Sequence, residues 1–512
     1  MKKTVLRIIS LVLCLLLTGA MFAACGKDDE SEAVGDTQAA AGDVQGTAAA
    51  DSSAEENLDE KARYRPDKVD MGGYELRMYS CADQDRWFEY QEGLVGDPVN
   101  RALYNRQQFM EQYFNIKISI ENIFPSKDLM TDLDKNFTNG QDFADILFIK
   151  SEEALRHGAA KGQIMQLNNK EGFHLDASYW DQRIQTELSI NGKLFLLEGD
   201  FSVYDELRTD GILYNRAMYK GLGHEAKYGD LSDVVLAGDW TFELLQTLIK
   251  DGSDDVNGDG LDKDDTIGFF TNIAAPYCYF LGSGQKIVST VEGRMVSHLE
   301  ESYAAITETL SKTLNFFSTS PDVVIITNEF FGVSSGSFAE ADKMMVAGKS
   351  YMKGCTLLDA MNLTEMKEDF GLLPIPKYTE DQDGYYCWLG DGNALVIPST
   401  AHAHTEQIVK LAEALCYFSR YMDGDNLSLY NAFFDQLSTT SLCRTAADYK
   451  IMELIFASKT YDLDRACALT GIYSLTTKLN PTTFSSDIAE LKGAAGSKLN
   501  TYLESVMTNA VS

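Results

Sequence analysis

Within Asp255-Val256-Asn257-Gly258-Asp259-Gly260-Leu261-Asp262-Lys263-Asp264-Asp265, oxygen-bearing side chains recur at alternate positions and a glycine sits sixth. The pattern D-x-N-x-D-G is what a calcium loop needs: donors at positions 1, 3 and 5, a turn at 6 and a backbone carbonyl at 7. It assigns Asp255, Asn257, Asp259 and the Leu261 carbonyl as ligands. Position 12 is Thr266, so the closing carboxylate has to come one residue early, from Asp265, with Asp264 beside it. Calcium there would staple a loop and do no chemistry; a metal-free acidic turn is the alternative reading. Nothing else in the sequence requires a cofactor, and six His in 512 residues do not suit a multi-histidine centre.

Two catalytic patterns can be drawn. Gly332-Val333-Ser334-Ser335-Gly336 fits G-x-S-x-G, with His402 and His404 downstream. A nucleophile elbow needs a strand running straight into the serine, yet Asn328-Glu329-Phe330-Phe331 separates Ser334 from the apolar run Val323–Ile326. Glycoside hydrolysis needs two carboxylates, and 77 acids offer many pairs without singling one out. Against 44 Lys+Arg those acids leave a net charge of -33, which repels phosphate backbones and excludes nucleic acid as a partner. Of nine Cys, none in a C-x-x-C, the seven after Cys14 and Cys25 read as scattered small hydrophobes, not as a zinc site or a disulfide framework. The balance is against an enzyme.

The elements that must position any site alternate between strand and helix. Tyr74–Tyr79, Ile116–Ile120 and Asp145–Ile149 read as strands, and Asn105–Tyr113 as an amphipathic helix. Further strands are expected at Gly211–Tyr214, Gly371–Pro376 and Ala394–Pro398, the last two ended by proline. Helices are expected at Trp240–Lys250 with Asp239 as N-cap, at Thr405–Tyr421 and at Asp487–Met507. The order predicts an α/β fold with mostly parallel sheets. Ahead of these elements, Lys2, Lys3 and Arg7, the apolar run Ile8–Leu17 and the small residues up to Ala24 form a secretory signal. Residues 26–61 carry 11 acids against Lys27 and Lys61 and no aromatic, the composition of an extended stalk.

Phe22-Ala23-Ala24-Cys25 resembles a bacterial lipobox, with Phe22 where the pattern usually has Leu. The resemblance implies cleavage before Cys25, lipidation of its sulfur and a membrane anchor. A second resemblance covers most of the chain after Tyr74. It is carried by Leu103-Tyr104-Asn105-Arg106 with Tyr113-Phe114-Asn115-Ile116, then by Asp145-Ile146-Leu147-Phe148, Ile190–Phe195, Ile212–Arg216, Trp240–Leu245 and Phe370–Lys377 leading to Asn393–Thr400. Their order is similar to that of bacterial extracellular solute-binding proteins of the carbohydrate-import class, relatives of maltose-binding protein.

That resemblance implies a periplasmic-binding-protein-like fold of two α/β lobes with hinge crossings. Its expected layout is a signal at 1–24, a lipidated Cys25 and acidic tether over 25–68, lobe 1 from 69–203 with 354–402, and lobe 2 from 204–353 with 403–512. It implies an extracytoplasmic monomer that takes a sugar, an oligosaccharide by preference, into an interlobe cleft and presents it to the transmembrane subunits of an ABC permease. Sugars need aromatic faces for their C–H side and carboxylates or amides for their hydroxyls. The implied contacts are Ser80 and Asp83 after the first strand, Lys150 and Glu152 after the third, Tyr204 near a crossing, Tyr277 in the second lobe, and Trp388 and Asp391 before the returning strand. Each also has an ordinary reading as core aromatic or solvated acid. A surface sensor or adhesin with the same fold, and a secreted glycoside hydrolase, are the alternatives.

Overall fold

The computed structural model describes residues 60–510 apart from 82–88, 95, 362, 364–368, 391, 424–426 and 440–441. The signal, Cys25, the stalk up to residue 59, Asp83 and Asp391 lie outside the described residues. The last stretch expected in the tether belongs to the folded body: the Glu60 carboxylate accepts from Ser178 Oγ at 2.7 Å and from Tyr421 Oη at 3.0 Å, and Tyr64 Oη donates to Asp176 at 2.7 Å.

β1 (Tyr74–Ser80), α1 (Pro98–Phe114), β2 (Ile116–Asn122) and β3 (Ile146–Lys150) build a parallel unit with β1 between β2 and β3. β3 is buried through Ile149 on both faces, which is why it reads as an unbroken apolar run. α1 begins earlier than its periodicity suggests. Asp97 accepts from the Asn100 N–H, and Pro98 takes the first turn, where a missing N–H costs nothing.

After α2 (Gln182–Glu187) and the short α3 (Tyr204–Leu207), a second sheet is entered through β4 (Asp210–Asn215). α4 (Phe242–Asp251), β5 (Ile267–Thr271), α5 (Ala275–Gly282) and the hairpin β6–β7 (Val288–Val291, Arg294–Ser297) follow. β8 (Val323–Ile325), β9 (Ser350–Thr356) and β10 (Phe370–Leu373) complete the order β10-β4-β9-β5-β8. β5 runs parallel to β8 and β9, whereas β4 is antiparallel to both its neighbours, so this sheet is mixed rather than mostly parallel.

After β11 (Cys387–Trp388), β12 (Asn393–Val396) returns antiparallel to β3 at the edge of the first sheet. α6 (Thr405–Arg420) then packs Ile408, Leu411, Leu415 and Phe418 into one core with Met110 and Phe114 of α1. β13 (Lys459–Thr460) pairs with β11, and α7 (Leu463–Ala466) and α8 (Phe484–Asn509) end the chain.

The lobe boundaries therefore differ from those expected. Residues 354–356 and 370–373, assigned to the first lobe, are strands of the second sheet, and α6, assigned to the second, lies in the first core. A strand buried on both faces looks the same in sequence whichever sheet it joins. The cap of α4 also differs: Thr241, not Asp239, accepts from the Leu244 N–H, while buried Trp240 donates its indole N–H to Pro374 O at 2.9 Å.

Candidate functional site

Three of the expected contacts meet around one unexpected residue. Glu152 follows β3, Tyr277 lies on α5 and Trp388 on β11, and Arg465 of α7 stands among them. Arg465 Nη2 is 2.7 Å from Glu152 Oε1, and its Nη1 donates to Gly390 O at 2.8 Å. The guanidinium faces the rings of Trp388 at 4.6 Å and Tyr473 at 4.5 Å. Tyr277 meets both rings edge-on, with centroids 6.0 and 5.4 Å away, and donates its hydroxyl to Asp462 Oδ2 at 2.6 Å. Asp462 also caps α7, accepting from the Arg465 N–H, so one carboxylate fixes both the tyrosine and the helix that aims the arginine. Glu152, Trp388, Tyr461, Asp462 and Arg465 line a cavity of about 20 Å³, room for a single water.

Beneath it lies a buried acidic network. Asp181 caps α2, Asp205 and Glu206 belong to α3, and Lys459 Nζ sits 3.2 Å from Asp181, 2.9 Å from Asp205 and 3.1 Å from Glu206. Burial, reinforced by Asp205 and Asp181, raises the Glu198 carboxyl well above its ordinary value; burial and Glu206 do the same to Asp205. Burial opposes the charge on Lys459, but Asp205, Glu206, Asp181 and Glu198 outweigh it and hold the ammonium protonated. Carboxylate oxygens of Asp181, Glu198 and Asp205 come within 4.8 Å of one another, and the Lys459 ammonium is their counter-ion.

The other expected contacts are placed elsewhere. Ser80 is buried at the end of β1, and Lys150 ends β3 opposite Asn393. Tyr204 is buried on α3 with Arg208 over its ring at 5.9 Å. None of the three lines the Arg465 cavity. Tyr277 is fully buried, so it supports the aromatic cluster and offers no open face. Arg465, Tyr473 and Asp462 were missed because the C-terminal third reads simply as helical. The signal was the charged and aromatic run Tyr461-Asp462-Leu463-Asp464-Arg465 inside it.

The acidic loop closes on itself. Asp255 accepts from the Gly258 and Gly260 N–H groups at 2.7 and 2.9 Å, and buried Asp265 accepts from those of Val256 and Asp262 at 3.0 and 2.8 Å. Oxygens of Asp255, Asp259 and Asp265 lie within 4.8 Å of one another. Asn257 instead spends its amide on Asp259, accepting from its N–H and donating to its carboxylate. Around Ser334 there is no elbow: the helix Asn328–Phe331 intervenes after β8, and the next helix starts only at Ser337.

No family model matches the chain, and no curated protein matches it. Among solved structures it is similar to a cyclo/maltodextrin-binding protein complexed with maltotetraose, at 11% identity and TM-score 0.52, covering 86% of this chain and 98% of that one. It is also similar to an ABC substrate-binding protein from Listeria monocytogenes in complex with cycloalternan (13% identity, TM-score 0.49, 85% and 98% covered). A third is the apo-form of RafE from Streptococcus pneumoniae (13%, 0.49, 86% and 99%). The first of these likenesses establishes the architecture: the chain has the two-lobed α/β fold of solute-binding proteins.

Proposed function

We propose that this protein captures a carbohydrate, an oligosaccharide by preference, between its lobes and delivers it to the transmembrane subunits of an ABC importer. It acts as a monomer, outside the cytoplasm, tethered through a lipid on Cys25. The observation that carries the reading is the cluster at the seam of the lobes, where the Trp388 and Tyr473 rings stand beside the Glu152 and Asp462 carboxylates. Aromatic faces flanked by carboxylates are the chemistry a sugar ring asks for. The fold supports it, because a cleft between lobes is where such folds place ligands. So does the sugar in the structure at TM-score 0.52, a protein complexed with maltotetraose. No bond is made or broken in this reading. Among the described residues no helix is long and apolar enough to cross a membrane.

The acidic loop is proposed to hold a structural calcium. The donor set fits in part: Asp255, Asp259 and Asp265 converge, while the amide of Asn257 is engaged within the loop. The ion would staple the turn between α4 and β5, apart from the sugar site.

Titration with maltose, maltodextrins, raffinose and cycloalternan, followed by thermal unfolding and by product analysis, tests the sugar reading. A ligand at 100 times its Kd stabilises the folded state by about 2.7 kcal/mol. Stabilisation without product is expected, and Trp388→Ala should abolish it. Turnover, or a response that survives Trp388→Ala, would overturn the assignment.

A further inference from the structure

We infer that Arg465 is the residue that latches the two lobes and decides which ligands enter, because it holds the face that a ligand must take. One side chain spans the seam. Its ion pair is with Glu152, which follows a strand of the first sheet, and its stacking partners are Trp388 and Tyr473 on the other side. The Arg465 and Glu152 side chains are only 15% and 21% exposed. A planar guanidinium both stacked and ion-paired in a desolvated place is held far more firmly than a rim charge.

The cavity left beside it admits about one water, with a volume of about 20 Å³. A sugar ring therefore reaches Trp388 only when Arg465 leaves it. Guanidinium and sugar compete for the same two things, an aromatic face and the Glu152 oxygens. A ligand that offers a C–H face with adjacent hydroxyl donors can replace both contacts. One that offers only a flat apolar face takes the 2.7 Å partner from Glu152 and leaves it the 3.4 Å contact with Arg156 alone, which is costly in a site this dry. The ligand half of this inference rests on the sugar reading above; the latch stands on the geometry alone.

A second tie keeps the lobes together when Arg465 is removed. Lys286 pairs with Glu187 at 3.3 Å, Thr290 Oγ1 donates to Ser189 O at 2.7 Å, and the Met295 N–H donates to Asn191 Oδ1 at 2.9 Å. Those bonds give the readout. Hydrogen–deuterium exchange on the full chain is compared for wild type, Arg465→Ala, Arg465→Lys, Glu152→Gln and, as a control, the exposed Lys312→Ala. Arg465→Ala and Glu152→Gln should raise exchange across 187–193 and 288–297 by about tenfold. Arg465→Lys, which keeps charge but not the planar stack, should fall between. Exchange in β1 and β5 should stay as in wild type, which excludes general unfolding. Seam exchange that is unchanged in Arg465→Ala overturns the latch. For any saccharide that stabilises the wild type, Arg465→Ala should bind more tightly, and equal or weaker binding overturns the competition. If no saccharide binds either protein while the seam still loosens, the latch holds and the sugar reading, with its competition, falls.

Discussion

Tyr461 Oη lies 2.6 Å from Glu198 Oε2 and 2.8 Å from Asp181 Oδ2, yet a phenol has one proton to give. The second contact needs a proton from a carboxyl. Glu198 is the one to keep it, since burial and its acidic neighbours raise its pKa, whereas Lys459 and the Tyr461 bond hold Asp181 below its ordinary value against the effect of burial. The consequence for stability has a definite sign. A carboxyl raised in the folded state stabilises fully below the unfolded value, about 4.3 for Glu, and that contribution is lost as pH rises through the folded value. The melting temperature should therefore fall as the pH rises above that unfolded value, and Glu198→Gln, which keeps a donor without a titration, should flatten the fall. Parallel curves for the two proteins would disprove this. At this scale the family resemblance points to Tyr277, Trp388 and Glu152, whose residue types alone read as core aromatics and a solvated acid. It does not show that Arg465 covers them, because nothing local links α7 to the end of β3.

At the scale of elements, the four strands of the first sheet are legible, whereas β5 and β9 at the centre of the second are not. The alternation in β1 and the apolar run of β3 mark strands because a two-residue period and two-sided burial leave direct traces in composition. The ends are less legible, because caps depend on single side chains: α4 starts on Thr241 with Asp239 two residues away and equally suitable by type. The acidic loop is the clearest case of local chemistry written locally. Its shortened spacing raises the question of closure, and Asp265 answers it by folding back to accept from the Val256 and Asp262 N–H groups. Calcium should raise the melting temperature of the wild type, and Asp259→Ala should remove the rise without touching sugar binding. A wild type indifferent to calcium would refute the site.

Across the whole molecule, polar ties between residues distant in sequence cross the seam, beside a hydrophobic cluster that runs from Leu147 and Ile149 of the first sheet to Leu213 and Phe269 of the second. Lys286 shows how it is held. It pairs with Glu187 at 3.3 Å, donates to Thr460 Oγ1 at 2.6 Å and bonds the Tyr461 carbonyl, joining the hairpin region, α2 and β13. Lys286→Met keeps the bulk and removes three bonds. It should lower stability by about 1–3 kcal/mol, the cost of leaving such partners unsatisfied. Urea unfolding reads this as a lower midpoint with an unchanged slope, and a midpoint equal to wild type would show the tie to be idle.

Taken alone, the sequence determined the α/β class, the positions of β1 to β4, β10 and β12, those of the helices α1, α4, α6 and α8, and the acidic loop. These follow from periodicity, propensity and spacing, which act over a few residues. Only the tertiary structure decided that β10 pairs with β4 and that α6 lies against α1. It alone placed Lys459 among Asp181, Asp205 and Glu206, and Arg465 between Glu152 and Trp388. Those choices depend on which buried surfaces and charges find each other across the folded chain, and buried strands and paired ions carry no mark in sequence of the partner they will meet.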